Sequence, residues 1–379
     1  MKTDYKQFDY LLLGVTVAFS VFGIIMIGSA VSGSAVYGGN FSSQIKWLTL
    51  GFIIMLASSF IDYHFICKFY IPIYIVCIIL LVAVFFLGSS DSSDTAQVSR
   101  WLRFGKSGEI GIQPSEFAKL FMILALAKAL SLIGPKINKP LILLGVLAAC
   151  AAPVLLIYKQ PSLSASLVVI FIVCAMLFNS KLSYKYIVTA AAVLVPLCVF
   201  VAYDLRRAQP LIMDKILGTY QMGRVELFLH PDKSNPLYYQ TDHAAMALSS
   251  GQFAGLGLFK GTVSIPQARN DFILALIGEE LGFVGCAAVL AVMLFIIFKC
   301  LIAANKSVDQ LGRLIACGVA AMLTFQVFIH VGVNTGMIPN TGVAFPFLSY
   351  GGSSLWINMC AVGIINNIGM HRSKSIFEK

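Results

Sequence analysis

Few side chains in this sequence could do chemistry, and they stand out because apolar residues surround them. In Pro266–Gly285, PQARNDFILALIGEELGFVG, Arg269, Asn270 and Asp271 stand against an apolar run that reads on to Cys300, with Glu279 and Glu280 two turns inside it. Asp271 opens that run. As a structural residue it would cap free N–H groups and complement the helix dipole. As a chemical one it is a carboxylate at the mouth of a span, beside a basic segment, where a base acting on a lipid-linked substrate would have to be. Glu279 lies about 12 Å further along a helix, too far to share a proton with Asp271. These are therefore not the paired carboxylates of a glycosidase, and Glu279 and Glu280 are expected to satisfy partners inside a bundle.

A second group begins at Gln113–Lys119, QPSEFAK, where Pro114 suits the first turn of a helix. Glu116 and Lys119 are three residues apart and share a surface, so a local ion pair is one reading. A lysine one turn below the outer surface, preceded by RWLRFGK with Arg100, also suits a clamp for a diphosphate. Asn334–Ser354, NTGMIPNTGVAFPFLSYGGSS, is broken by Gly and Pro between two apolar spans. It is either a hairpin or the lining of a cavity, and its length favours lining, since non-helical backbone at membrane depth persists only where protein or water covers it.

The elements that must position these groups follow from composition. The chain has 379 residues, 58% hydrophobic and 12% charged, about half the charge of a soluble domain. It reads as an all-α polytopic membrane protein, a single domain over residues 1–379, with ten spans of about 17–25 apolar residues. These are Tyr10–Ala30, Gln44–Ile61, Phe69–Gly88, Ser115–Leu132, Leu141–Tyr158, Leu163–Phe178, Tyr186–Tyr203, Phe272–Cys300, Leu311–Val333 and Phe347–Met370. The first has no cleavage site and is expected to stay as an anchor. Lys and Arg crowd one set of short loops, from Lys2 and Lys6 to Arg372, Lys374 and Lys379, while the opposite short loops hold only Lys159. Both termini are thereby expected in the cytoplasm.

Two long segments then fall outside. Ser89–Gln113 carries Arg100, Arg103 and Lys106; Asp204–Asn270, between spans seven and eight, carries Arg206, Arg207, Lys215, Arg224, Lys233, Lys260 and Arg269. Long loops translocate whatever their charge. Each cation alone is as well explained as a solvated loop residue, but together they favour an anionic ligand at the outer surface. The larger loop, with LIMDKILGTY and AAMALSS, is expected to form short amphipathic or re-entrant helices. Within the spans Lys46, Glu116, Lys119, Glu279 and Glu280 stand out as functional candidates, because a charge at the bilayer centre costs about 2.5–3.5 kcal/mol. Trp47, Trp101 and Trp356 sit near span ends, as an aromatic belt would place them. The nine cysteines fall in spans or at their inner ends, and the five histidines show no metal-ligand spacing with them.

Taken together, RWLRFGKSGEIGIQPSEFAK, YQMGRVELFLHP, SIPQARNDFILALIGEELGFVG and TGVAFPFLSYGGSS resemble the SEDS family, the RodA, FtsW and SpoVE proteins of bacterial wall synthesis, in order along nearly the whole chain. The resemblance implies a peptidoglycan glycosyltransferase of ten spans in the bacterial plasma membrane. It would polymerise lipid II, the undecaprenyl-diphosphate-linked disaccharide peptide, at the outer face, for cell shape, division or sporulation. The implied partners are a class B penicillin-binding protein and other divisome or elongasome membrane proteins, with no nucleic acid. The family's essential aspartate, in its TDFIF motif, falls on Asp271, its Arg before Trp-Leu on Arg100, and the Glu and Lys of QPSE..K on Glu116 and Lys119. Three departures remove charge: Ser162 replaces Asp in QPDLGTA, Gln267 stands where PEAHTD has Glu, and Ser43 where many members have Arg.

Joining an acceptor sugar hydroxyl to the donor's anomeric carbon needs one positioned base, worth about 10²–10⁴ in rate. The departing diphosphate needs preorganised cations, here Arg100, Lys119 and Arg224, with room for a divalent cation, Mg or Mn. A single displacement inverts the anomeric centre. A flippase or transporter of the same lipid-linked precursor would use a similar cavity without a base, but paired repeats with matched helix breaks are not visible. A scaffold that only recruits wall enzymes would leave the Glu and Lys set unexplained.

Overall fold

The computed structural model describes residues 7–31, 38–90, 99–104, 110–205, 219–232 and 234–371. Lys2, Lys6, Lys106, Arg206, Arg207, Lys215, Lys233, Arg372, Lys374 and Lys379, and most of LIMDKILGTY, lie outside them. Helices dominate: α1 Tyr10–Val31, α2 Gly38–Phe60, α3 Tyr63–Lys68, α4 Tyr70–Leu87, α5 Pro114–Ile133, α6 Pro140–Lys159, α7 Leu163–Phe178, α8 Tyr184–Leu205, α9 Thr219–Leu229, α10 Pro236–Ser250, α11 Ile273–Lys306, α12 Gln310–Asn334 and α13 Gly352–Met370. Each expected span overlaps one of them. Eight (α1, α2, α4, α5, α6, α8, α11 and α12) are long and apolar enough to cross a membrane. This is an all-α, multi-pass membrane protein.

The other two expected spans, α7 and α13, differ for separate reasons. α7 is apolar but has only 16 residues. α13 is surrounded by protein along most of its length and packs most closely on α2. Its buried asparagines bond to their surroundings, as hydrocarbon would not allow. Asn367 Oδ1 accepts from Tyr63 N–H at 3.0 Å while its Nδ2 donates to Ser59 O at 2.9 Å, and Asn366 Oδ1 accepts from Asp9 N–H at 2.8 Å.

Three sequence expectations are corrected. The Ser89–Gln113 loop carries a small antiparallel sheet, β1 Ser89–Ser90, β2 Ser99–Phe104 and β3 Ile110–Ile112, with Leu102 opposite Ile112 and Phe104 opposite Ile110. Its strands are too short to show a period in sequence. The last span begins at Gly352, because Phe347 adopts φ 67° and the residues before it form turns. Phe272–Cys300 is not one helix: α11 continues to Lys306 but is interrupted at Gly282, with φ 66° and ψ −163°.

That interruption is built from both sides. The end of α10 and the turns after it press into the gap, so that Leu256 and Gly257 N–H donate to Glu279 and Glu280 carbonyls, each at 2.9 Å. In return Phe283 and Val284 N–H donate to the carbonyls of Gln252 and Phe253, at 2.9 and 3.2 Å. A β-carbon at Gly282 would lie 2.5 Å from Gly255 N and from Phe253 O. Only glycine combines that backbone conformation with that approach. Within Asp204–Asn270, α9 and α10 realise the expectation of short helices.

Candidate active site

Asp271 precedes α11 by two residues. The cap position falls on Phe272, and the helix's Ala275 N–H donates to Asn334 Oδ1 at 3.0 Å, from the end of α12. The segment leading into the helix is held by its carbonyls. Arg269 O accepts from Tyr350 N–H at 2.8 Å, Asn270 O from the Ser349 hydroxyl at 2.7 Å, and Asp271 O from Asn334 Nδ2 at 3.0 Å. Three successive carbonyls thus meet donors from the end of α12 and the turns before α13. The Arg269 guanidinium also lies over the Tyr350 ring, 5.3 Å from its centre.

Around Asp271 lies a cavity of about 190 Å³ whose lining includes all five residues singled out in the sequence: Arg100, Glu116, Lys119, Arg224 and Asp271. They come from β2, the first turn of α5, α9 and the start of α11. Gly342 closes the wall opposite. A β-carbon there would sit 3.5 Å from Asp271 Oδ2 and 3.8 Å from Arg224 Nη1, so carboxylate and guanidinium face the same small volume. Arg224 donates from Nη1 to Asn340 O at 3.0 Å, and Arg100 from Nη2 to Pro161 O at 2.8 Å. Both arginines are therefore aimed by backbone carbonyls before any ligand arrives.

Glu116 and Lys119 form the ion pair their spacing allows, Nζ lying 2.7 Å from each carboxylate oxygen. Lys119 is almost completely buried. Two of its three N–H donors are committed to Glu116, which leaves the third for the cavity.

Of the three departures, Ser162 and Gln267 line the cavity and Ser43, on α2, does not. Gln267 adopts φ 57° and its Oε1 accepts from Asn270 Nδ2 at 3.2 Å. Lys46 is exposed on α2, away from the site. The partly exposed tryptophans near the span ends also pack on protein. Trp101 lines the cavity, Trp47 lies 5.0 Å from the Tyr350 ring, and Trp356 Nε1 donates to Trp47 O at 3.0 Å. Two of the three thus support the turns that carry Tyr350.

A neighbouring cavity of about 570 Å³ shares Gln240 and Gln267 with the first and is lined by Glu279 and Glu280. Glu279 Oε1 accepts from the N–H groups of Thr262 and Val263, at 2.6 and 2.8 Å, and Glu280 Oε1 from the Ser29 hydroxyl. Glu279 thus bonds to the chain that returns toward Asp271 and Glu280 to α1, as partners inside the bundle. The Asn334–Ser354 stretch lines the first cavity through Gly342, Val343, Ala344, Tyr350, Gly351 and Ser354. Sequence reasoning passed over Gln240 and Asn334. Gln240 carried no signal, whereas Asn334 is the first polar residue after the apolar run of α12 and was legible only as the end of a span.

Among the described residues, no group of three or more His, Cys, Asp or Glu side chains could hold a metal ion. A magnesium or manganese ion at Asp271 would take its remaining ligands from substrate phosphates and water, the usual mode for Mg²⁺.

Comparison with known proteins agrees over the same extent. The cell cycle protein family of FtsW, RodA and SpoVE matches residues 9–374. The peptidoglycan glycosyltransferase MrdB of Escherichia coli is 32% identical, over 98% of this chain and 97% of its own. The probable peptidoglycan glycosyltransferase FtsW of Geobacter metallireducens is 30% identical, over 96% and 95%. Among solved structures, a chain of a peptidoglycan synthase complex that coordinates polymerization and crosslinking superposes with a TM-score of 0.78 at 26% identity, covering 96% of this chain and 97% of that one. The rod shape determining protein RodA of Thermus thermophilus shares the fold, with a TM-score of 0.69 at 24% identity over 97% and 98%. A family match that spans nearly every described element, and that contains all five cavity residues, leaves one assignment: the chain belongs to the FtsW, RodA and SpoVE family.

Proposed function

We propose that this protein is a peptidoglycan glycosyltransferase that polymerises lipid II at the outer face of the bacterial plasma membrane, with Asp271 as general base. The observation that carries the reading is the convergence of one carboxylate and three cations, Asp271 with Arg100, Lys119 and Arg224, on a single cavity. Asp271 takes the proton from the acceptor's sugar hydroxyl as that oxygen attacks the donor's anomeric carbon. The bond to the lipid diphosphate breaks on the opposite face, so the centre inverts. Charge developing on the departing diphosphate is met by Arg100 and Arg224, already oriented by Pro161 and Asn340 carbonyls, and by the remaining donor of Lys119. Glu116 holds the Lys119 ammonium in place. A divalent cation held at Asp271 would supply further charge neutralisation.

In this reading the ten helices matching the expected spans all lie across the bilayer, α7 and α13 within the protein, with both termini cytoplasmic and α9 and α10 outside. The likeness to a chain of a peptidoglycan synthase complex supports a class B penicillin-binding protein as the partner that crosslinks the strands, with other divisome or elongasome membrane proteins beside it.

The test is polymerisation of lipid II by purified protein, parental and Asp271→Asn, alone and with candidate transpeptidases. Asn keeps the size of Asp but takes no proton, so the variant should fold normally and lose about 10²-fold or more in rate. Parental turnover by Asp271→Asn would overturn the assignment and make Glu116 the next carboxylate to examine. A protein that moved lipid II across vesicle membranes without polymerising it would be a flippase instead.

A further inference from the structure

Asp271 sits in non-helical chain, and a base on such a segment needs a fixed backbone. Arg269 and Asn270 are held from the turns before α13. Asp271 O is held by a different element, the last residue of α12. Asn334 is almost completely buried, and each polar atom of its amide is used. Nδ2 donates to Asp271 O at 3.0 Å and to His330 O at 2.9 Å, and Oδ1 accepts from Ala275 N–H at 3.0 Å.

Those contacts sit on both sides of Phe272, which occupies the cap position of α11. One side chain thus fixes the carbonyl of the residue carrying the base and the first turn of the helix after it. Two donors and an acceptor on one short stem exist only in asparagine; an ionised Asp offers no donor, and Ser has no second one. The same helix end secures the facing wall. His330 Nδ1 lies 2.8 Å from Val343 O, and Val343 adjoins Gly342 in the lining.

We infer that Asn334 is the positioning residue for Asp271, fixing the reach of its carboxylate into the cavity through the Asp271 carbonyl and the first turn of α11. This rests on Asp271 acting as the base. A displacement of about 1 Å at a reacting group costs on the order of 10²-fold, so the effect should appear in turnover rather than in binding, since Arg100, Arg224 and Lys119 are held elsewhere.

The experiment measures kcat and KM for lipid II polymerisation, and thermal unfolding in detergent, for the parent, Asn334→Ala, Asp271→Asn and the double variant. Asn334→Ala should lower kcat about 10- to 100-fold with KM changed less than about threefold. In the double variant it should remove nothing beyond the Asp271→Asn loss, because residues acting as one unit do not add. Parental kcat in Asn334→Ala, or a further equal loss in the double variant, would overturn the positioning role. Full turnover by Asp271→Asn would instead remove the base itself. If Asn334→Ala does not fold, Asn334→Asp carries the test, because it keeps size and acceptor but donates only when protonated. Its turnover relative to the parent should rise as pH falls, and a profile parallel to the parent's would overturn the inference.

Discussion

Before Gly282, α11 is enclosed: every residue from Phe272 to Glu280 is buried. After it, Val289, Met293, Ile296 and Cys300 are buried at helical spacing, while Phe283, Leu294, Phe298 and Leu301 are exposed on an apolar face, as a helix against lipid must be. Apart from Glu279 and Glu280, the two halves read alike in sequence. What separates them is the solvent around the backbone. Where lipid touches a helix, each N–H must stay within it. Where protein surrounds it, the ladder can stop, accept bonds from another segment and begin on a residue capped from a third. The proposed base stands at the head of the enclosed half, where the chain can leave helical geometry without leaving polar groups bare.

Closing the break should have the largest effect. Gly282→Ala forces a β-carbon against the Gly255 and Phe253 backbone and disturbs four inter-segment hydrogen bonds, so a loss of about 3 kcal/mol or more is expected. Thermal unfolding of the detergent-solubilised protein would read it, and an unchanged midpoint would mean that the halves do not owe their difference to the interruption. Glu279→Ala comes next. It strips the acceptor from two partly buried N–H groups, a loss of about 2 kcal/mol, whereas Glu279→Gln keeps an acceptor oxygen and should lose less. Equal losses in denaturant titrations would assign the role to charge instead.

Arg100→Ala should leave the fold intact and weaken lipid II binding about 10-fold or more, the value of one charge-assisted contact; unchanged affinity by equilibrium binding would remove Arg100 from the diphosphate site. Lys119→Ala is the less clean variant, because it also leaves the Glu116 carboxylate without its cation. Smallest of all, Leu294→Ala on the exposed half should shift the unfolding midpoint by less than the equivalent of about 0.5 kcal/mol. A large shift would show protein, not lipid, against that face.

The sequence disclosed the cavity residues because charge is so rare among apolar spans that Asp271, Glu116 and Lys119 could hardly be incidental. The helices were legible for the same reason, as long runs without polar breaks. Gly282 was not, since glycine is ordinary in membrane helices and the apolar run reads on past it to Cys300. Nor was the β2–β3 hairpin, whose paired stretch of Leu102–Phe104 against Ile110–Ile112 is shorter than any reliable period. Asn334 escaped because its meaning lies in two contacts distant in the chain, to Asp271 and Ala275.

The enclosure of α13 bears on how the chain is made. Its asparagines at 366 and 367 find their partners at Asp9, Ser59 and Tyr63, all synthesised long before it. A segment this polar gains little by entering lipid alone, so α13 needs the slot that elements preceding it in the chain provide. A ribosome that stopped before Gly352 would release a protein whose oldest helices still faced an unfilled groove of backbone polar groups, the kind of surface by which a membrane quality-control protease can tell an unfinished chain from a finished one.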